Sequence, residues 1–271
     1  MSFGLCYQMI QKARTTMIWI TGDCHAEFNR FSTKRFPAQK EMTKDDFVII
    51  CGDFAGIWDY KISSNEERYW LDWLNEKPFT ILFVDGNHEN HERLKHFPRV
   101  KFHGGMAHKI RDNIYHLMRG YVFEFEGKKF FTFGGAQSHD IQDGILYIKD
   151  YESLTATVDD YNKRTRKGQM LRIDGISWWK DELPTAAEMK RGIANLEKVN
   201  WKVDYVITHC PPREVCKWFG YYSTDKLIDY FDELLDKGLK FKQFWSGHLH
   251  KNQYNIYGKY NVLFEDIVRL L

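Results

Sequence analysis

The chain reads as an α/β protein. Three observations specify that class: short β-rich runs ending in Gly-Asp, an amphipathic segment before a third such run, and an alternating stretch that turns on a glycine. "MIWIT" (17–21) and "DFVIICG" (46–52) are apolar and β-rich, so each reads as a short buried strand. "SNEERYWLDWLNEKP" (64–78) reads as a helix, with Ser64 as cap, Glu67 three residues later as in a capping box, and Pro78 past the end. Tyr69, Trp70, Trp73 and Leu74 recur at helical spacing. "FTILFVDGNHE" (79–89) is a third strand running into a turn, and strand–helix–strand order implies a crossover within a parallel sheet.

The middle of the chain changes character. "YVFEFEGKKFFTFGG" (121–135) alternates around "EGKK" and predicts a β-hairpin. Residues 138–176 are polar and weakly periodic, which predicts a lid-like excursion. "TAAEMKRGIANLEKVN" (185–200) and "STDKLIDYFDELLDKG" (223–238) read as helices, the second capped by Ser or Thr and ended by Gly. "VDYVITHCPP" (203–212), "FKQFWSGHLH", "QYNIY" and "YNVLFE" read as strands. With no repeat and no linker, residues 17–271 form one expected domain, preceded by an N-terminal extension, 1–16, that has no period.

Composition bounds the function classes. With 271 residues, 43% hydrophobic and 28% charged, the chain has the balance of a soluble globular protein. The 16% aromatic content favours broad packed surfaces, and a formal charge of +2 gives no bulk electrostatic argument for nucleic acid or membrane. No apolar run reaches the length of a membrane span, and the first residues lack a signal-peptide core. Five cysteines, without a CxxC pair, suggest a reduced, cytoplasmic protein.

Five of the runs end in metal-binding residue types: "GDCH" (22–25), "CGDFAG" (51–56), "DGNHE" (85–89), "THCPP" (208–212) and "GHLH" (247–250). Each alone is ordinary turn chemistry. Together they matter, because ligands of parallel sheets gather beyond the carboxyl ends of the strands. A carboxylate can bridge two cations while imidazoles and an amide oxygen complete the shells. Mixed Asp, Asn and His favours Mn, Fe, Zn or Co over Ca or Mg. Two divalent ions bring four positive charges against two carboxylates, which leaves a site suited to an anionic phosphate.

The ordered set G-D-x-H, G-D-x-x-G, G-N-H-E, a strand-end His and G-H-x-H resembles the calcineurin-like metallophosphoesterase superfamily over roughly residues 17–250. The resemblance implies a four-layer α/β/β/α sandwich of two mixed sheets flanked by helices. It implies that Asp23, His25 and His250 hold one metal, that Asn87, His209 and His248 hold the second, and that Asp53 bridges them. Mn or Fe is the expected pair, and the implied reaction is phosphate ester hydrolysis by a bridging hydroxide, with His88 serving the transition state or the leaving oxygen.

Two departures narrow the substrate. "GDFAGIWD" carries Gly56 and Ile57 where the Ser/Thr protein phosphatase branch has Asp and Arg, and "FVDGNHE" lacks that branch's Arg before G-N-H-E. Without Arg clamps, a small phosphodiester or nucleotide is the expected substrate rather than a phosphoprotein. A nuclease and a non-catalytic metal-binding scaffold stay open as alternatives, although no basic-aromatic stripe points to nucleic acid. Outside the motifs, His91, His96, His103, His108 and His116 could line a substrate entrance. His139 in "GGAQSHD" reads as a solvated loop residue, and Trp178 and Trp179 as core.

Overall fold

The computed structural model describes residues 14–271, so most of the expected extension, 1–13, lies outside the described residues. In chain order the strands are β1 (Ile18–Thr21), β2 (Phe47–Ile50), β3 (Thr80–Phe83), β4 (Arg99–Phe102), β5 (Gly105–Arg111), β6 (Ile114–Leu117), β7 (Tyr121–Phe125) and β8 (Lys128–Phe133). They continue with β9 (Ile145–Leu146), β10 (Arg172–Ile173), β11 (Tyr205–Thr208), β12 (Gln243–Ser246), β13 (Gln253–Ile256), β14 (Tyr260–Val262) and β15 (Ile267–Arg269). The α-helices are α1 (Asn65–Asn75), α2 (His91–Lys95), α3 (Leu154–Thr165), α4 (Ala186–Lys198), α5 (Arg213–Trp218) and α6 (Lys226–Asp236).

Two mixed sheets result. The first has order β15-β1-β2-β3-β6-β5-β4 and the second β13-β14-β12-β11-β8-β7. β1, β2, β3 and β6 run parallel, as do β8, β11, β12 and β14. Antiparallel neighbours finish both sheets.

The period of two sorts the apolar residues into layers. Ile18, Ile20, Phe47, Ile49 and Leu82 pack against Phe130, Ile207 and Trp245 between the sheets. Their alternates Val48, Ile50, Ile81 and Phe83 pack with Leu71 and Leu74 of α1 on one outer face. Phe131, Phe133, Val206 and Phe244 pack with Leu196 of α4 and Leu227, Phe231 and Leu234 of α6 on the other. The expected four-layer α/β/β/α sandwich is what forms. Central strands read as unbroken apolar runs because both of their faces are buried.

The hairpin turns on Glu126 (φ 49°) and Gly127 (φ 65°), two left-handed residues that match the twist of β7 and β8. Several local expectations need correction. Ser64 caps α1 by accepting from the Glu67 amide at 3.0 Å, but Glu67 does not reach back to close the box. Its carboxylate is drawn instead to the Trp58 and Asp59 amides and to Arg93, while Asp59 accepts from the Ser64 amide at 2.6 Å. Tyr69 is 60% exposed, and Leu71 with Leu74 forms the buried stripe. Asp225, not Ser223 or Thr224, caps α6 by accepting from the Leu227 and Ile228 amides.

The 138–176 stretch is not structureless. It holds α3, capped by Ser153, and a two-stranded sheet, β9 with β10, over a small cluster of Leu146, Leu171 and Ile173. Only Thr157 of α3 is buried, which is why no apolar period marks that helix. No helix among the described residues is long and apolar enough to cross a membrane.

Candidate metal centre

Parallel strands of both sheets end at one edge of the sandwich, and the turns beyond them carry the acids and imidazoles. β1 leads to Asp23 and His25, β2 to Asp53, β3 to Asn87 and His88, β11 to His209, and β12 to His248 and His250. Four of these residues sit in the left-handed region: His25 (φ 46°), Asp53 (45°), His248 (68°) and His250 (50°). That conformation is costly for a residue with a Cβ and gathers where function requires it.

The glycines before the donors have a steric reason. A Cβ on Gly86 would lie 2.0 Å from Asp53 Oδ1, and one on Gly247 would lie 2.1 Å from Asp23 Oδ1. Each turn therefore presses its backbone against a carboxylate of another turn.

Donor atoms converge in overlapping groups. Asp23, His25 and His250 form one, His25, Asp53 and His88 a second, and Asp23, Asp53 and His209 a third, with atoms of each within 4.8 Å of one another. His25 and His250 bring their Nε2 atoms to 2.9 Å, and Asp23 Oδ2 lies 3.2 Å from His250 Nε2. Asp53 faces both ways: Oδ2 is 3.6 Å from His25 Nε2 and Oδ1 is 3.3 Å from His209 Nε2. Asn87 Oδ1 lies 3.3 Å from His209 Nε2. His248 joins none of these groups; its ring lies 4.9 Å from that of His209, and its Nε2 is 2.9 Å from His139 Nε2. His139 is exposed in its loop, as expected, and its ring also meets a candidate donor.

Electrostatics show what the donor set demands. Burial pushes the Asp23 and Asp53 carboxyls up, yet the charge of His209 and contacts with the imidazoles hold both below the usual range. His209 is likewise opposed by burial, but Asp53 and Asp23 raise it to about 9. Asp23 and Asp53 therefore stay ionised, and His209 carries the compensating proton. His88 is pushed down to about 4 and His248 to about 3, chiefly by burial, so both imidazoles are neutral at pH 7. Neutral nitrogens, ionised oxygens and an amide oxygen are the donors that borderline transition metals take.

Further residues, given no role in the sequence reading, hold the donors. Glu89 is buried, its pKa is raised by burial and by Asp53, and its Oε1 accepts from the Phe54 amide at 2.7 Å, pinning the Asp53 turn. Arg30 donates to the Asp23 carbonyl at 2.6 Å and to the Phe264 carbonyl at 2.8 Å. Asn87 Nδ2 donates to Ser138 Oγ at 3.4 Å, which leaves Oδ1 for the centre, and Ser138 Oγ donates to Glu182 Oε2 at 2.6 Å. Ser138 lies in the flagged "GGAQSHD" loop, but its Glu182 partner is 44 residues away and carries no local signal.

Within the histidine-rich stretch, His91, His108 and His116 line a cavity of about 220 Å³ whose lining includes none of the candidate donors, and His96 and His103 are exposed. His91, His108 and His116 are buried, with His116 Nε2 2.9 Å from Asp85 Oδ1 and His108 Nδ1 2.9 Å from His116 Nδ1. Two further cavities adjoin the centre. One of about 300 Å³ adjoins His25 and His88, and another of about 470 Å³ adjoins His139 and His248.

The model of the calcineurin-like phosphoesterases matches residues 16–252. The chain belongs to that family. The family is described as one of phosphoesterases, enzymes that act on phosphate ester bonds. Lariat debranching enzyme A of Xenopus laevis is 29% identical over 151 residues, 51% of this chain and 27% of that protein. The lariat debranching enzyme of Homo sapiens is 25% identical over 150 residues, 50% of this chain and 26% of that one. The matched part thus spans about a quarter of these relatives' length. Among solved structures, the phosphopantetheinyl hydrolase of Mycobacterium tuberculosis is 17% identical with a TM-score of 0.46, over 95% of this chain and 96% of the other.

Proposed function

We propose that the phosphoesterase is a two-metal phosphodiesterase acting on small diesters or nucleotides. Asp23, His25 and His250 would hold one transition metal ion, and Asn87, His209 and His248 the second. Asp53, whose two oxygens face the two sets, would bridge them. Bound there, the ions, Mn or Fe first among Mn, Fe, Zn and Co, would supply Lewis acidity and an activated water.

The chain's own residues then orient and exchange protons. His88 is anchored through its backbone amide, which donates to Asp53 Oδ1 at 2.8 Å, and its ring lies on Trp58 and against His25. A phosphate anion beside a neutral imidazole raises its pKa, so His88 can gain a proton and pass it to the leaving oxygen.

The observation that carries the diester reading is the pair of cavities, one on each side of the donor groups, room for two substituents on one phosphorus. Nearby guanidinium groups are already engaged. Arg172, whose charge reaches His88, donates Nε to Asp140 at 2.8 Å, and Arg30 is spent on backbone carbonyls. A dianionic monoester loses more from missing Arg clamps than a monoanionic diester does. At matched manganese loading, bis-nitrophenyl phosphate should exceed nitrophenyl phosphate in kcat/KM by roughly tenfold or more. A clear excess for the monoester overturns the diester preference and leaves the hydrolase reading standing.

A second reading, a nucleic-acid diester, is favoured by the lariat debranching relatives and by exposed Tyr221 in the lining of the His139 cavity. Single-stranded RNA and DNA in the same assay decide between them.

A further inference from the structure

The cavity beside His25 and His88 has an aromatic wall made by Phe28, Trp58 and Trp70. These rings are braced from behind. Trp58 stacks on His88 with centroids 5.5 Å apart and takes the edge of Trp179 at 5.1 Å. Trp70 meets Phe28 at 5.9 Å and Trp73 at 5.4 Å. Trp58 and Trp70 are only half-buried, so part of each ring is free to meet a ligand.

The rim is acidic. Asp59, Glu66 and Glu67 contribute to it, and among the described residues no Lys or Arg lines the cavity. Glu67 is paired with Arg93 and Asp59 accepts from the Ser64 amide, whereas Glu66 is exposed and makes no ion pair among the described residues. Such a rim repels a second phosphate and suits an uncharged group that offers hydrogen-bond donors. Flat apolar walls select a planar ring.

We propose that this cavity is a nucleobase subsite: a planar, uncharged heterocycle packs against Trp58 and Trp70 and turns its amino hydrogens toward the carboxylates of the rim. The assignment rests on the diesterase reading for the placement of the ester at His25 and His88, and it names the substituent as a nucleoside.

The test is calorimetric titration of adenosine and of ribose into metal-free and metal-loaded protein. Adenosine should bind saturably in both preparations and ribose in neither. Trp70→Ala and Trp58→Leu should each weaken adenosine at least about tenfold while the circular dichroism spectrum is kept. In metal-free protein ADP should bind more weakly than adenosine, and Glu66→Lys, a change on the exposed rim that spares the packing, should narrow that gap. Absent adenosine binding, or binding unaffected by both tryptophan variants, overturns the subsite; so does a gap that Glu66→Lys leaves unchanged. Because the binding is read without metal, its failure is separate from failure of the hydrolase reading, which bis-nitrophenyl phosphate turnover by the loaded protein judges.

Discussion

His25 and His250, 225 residues apart in sequence, place their Nε2 atoms 2.9 Å from one another while both face Asp23. Each ring nitrogen already has a carboxylate oxygen before it, so the two converge on a shared point as ligands do. The proposed arrangement makes this pair serve one ion only. His250→Ala should therefore lower metal content by about one ion per chain, whereas Asp53→Asn should weaken both sites. Elemental analysis after desalting reads the difference, and equal losses in the two variants would count against Asp53 as a bridge.

His88→Gln should cut turnover by roughly 10²–10⁴ with metal content unchanged. The loss should shrink for good leaving groups such as nitrophenol, which need little protonation. An equal loss for good and poor leaving groups points to positioning instead, and a loss of metal makes the residue structural.

Arg119 is buried against Asp85, donating Nε to Oδ2 at 2.8 Å and Nη2 to the Asp181 carbonyl at 2.8 Å. Arg119→Met leaves the carboxylate buried without its cation, which should cost about 3–5 kcal/mol in urea unfolding. Lys242→Met removes the pair with Asp204, where the Lys side chain is 65% exposed, and should leave the urea midpoint nearly unchanged. Similar costs for the two variants would show that burial does not set the value of the Asp85 pair.

Strand ends were the most legible part of the chain. Acids and imidazoles following short apolar runs are informative because a parallel sheet brings such ends together, and Asp23, Asp53 and His209 do meet although 30 and 156 residues separate them in turn. The meander β4–β5–β6 was not legible, because Lys101, His108, Lys109 and His116 interrupt the apolar alternation that marks a strand. Burial of His108 and His116 depends on Asp85, which belongs to another strand end. Ser138 and Glu182 act through a contact that only the folded chain creates, and Glu89, although it closes the G-N-H-E motif, shows its role only through its bond to the Phe54 amide. Helix α3 was hidden for the opposite reason: it buries almost nothing.

Asp46 gives a pH-dependent stability. It is buried and accepts from the Met17 amide at 2.7 Å, the Thr43 amide at 2.6 Å and Arg14 Nη1 at 3.0 Å. Burial raises its pKa, but Arg14 and the two amides outweigh that and hold it below the ordinary value. A depressed carboxylate contributes stability that is full above the unfolded pKa, about 3.9, and is lost as pH falls through the lower folded value. Asp46→Asn should thus cost about 1–3 kcal/mol at pH 7 and progressively less below about pH 4. Urea unfolding across that range measures it, and a cost independent of pH would contradict the assignment.

The proposal that the strand-end donors hold two metal ions for ester hydrolysis is tested most directly by metal titration. Protein stripped with chelator receives manganese in steps while bis-nitrophenyl phosphate hydrolysis is followed. Activity should be absent in the stripped protein and should rise to a plateau near about two ions per chain. Undiminished hydrolysis by protein that elemental analysis shows to be free of metal would contradict it.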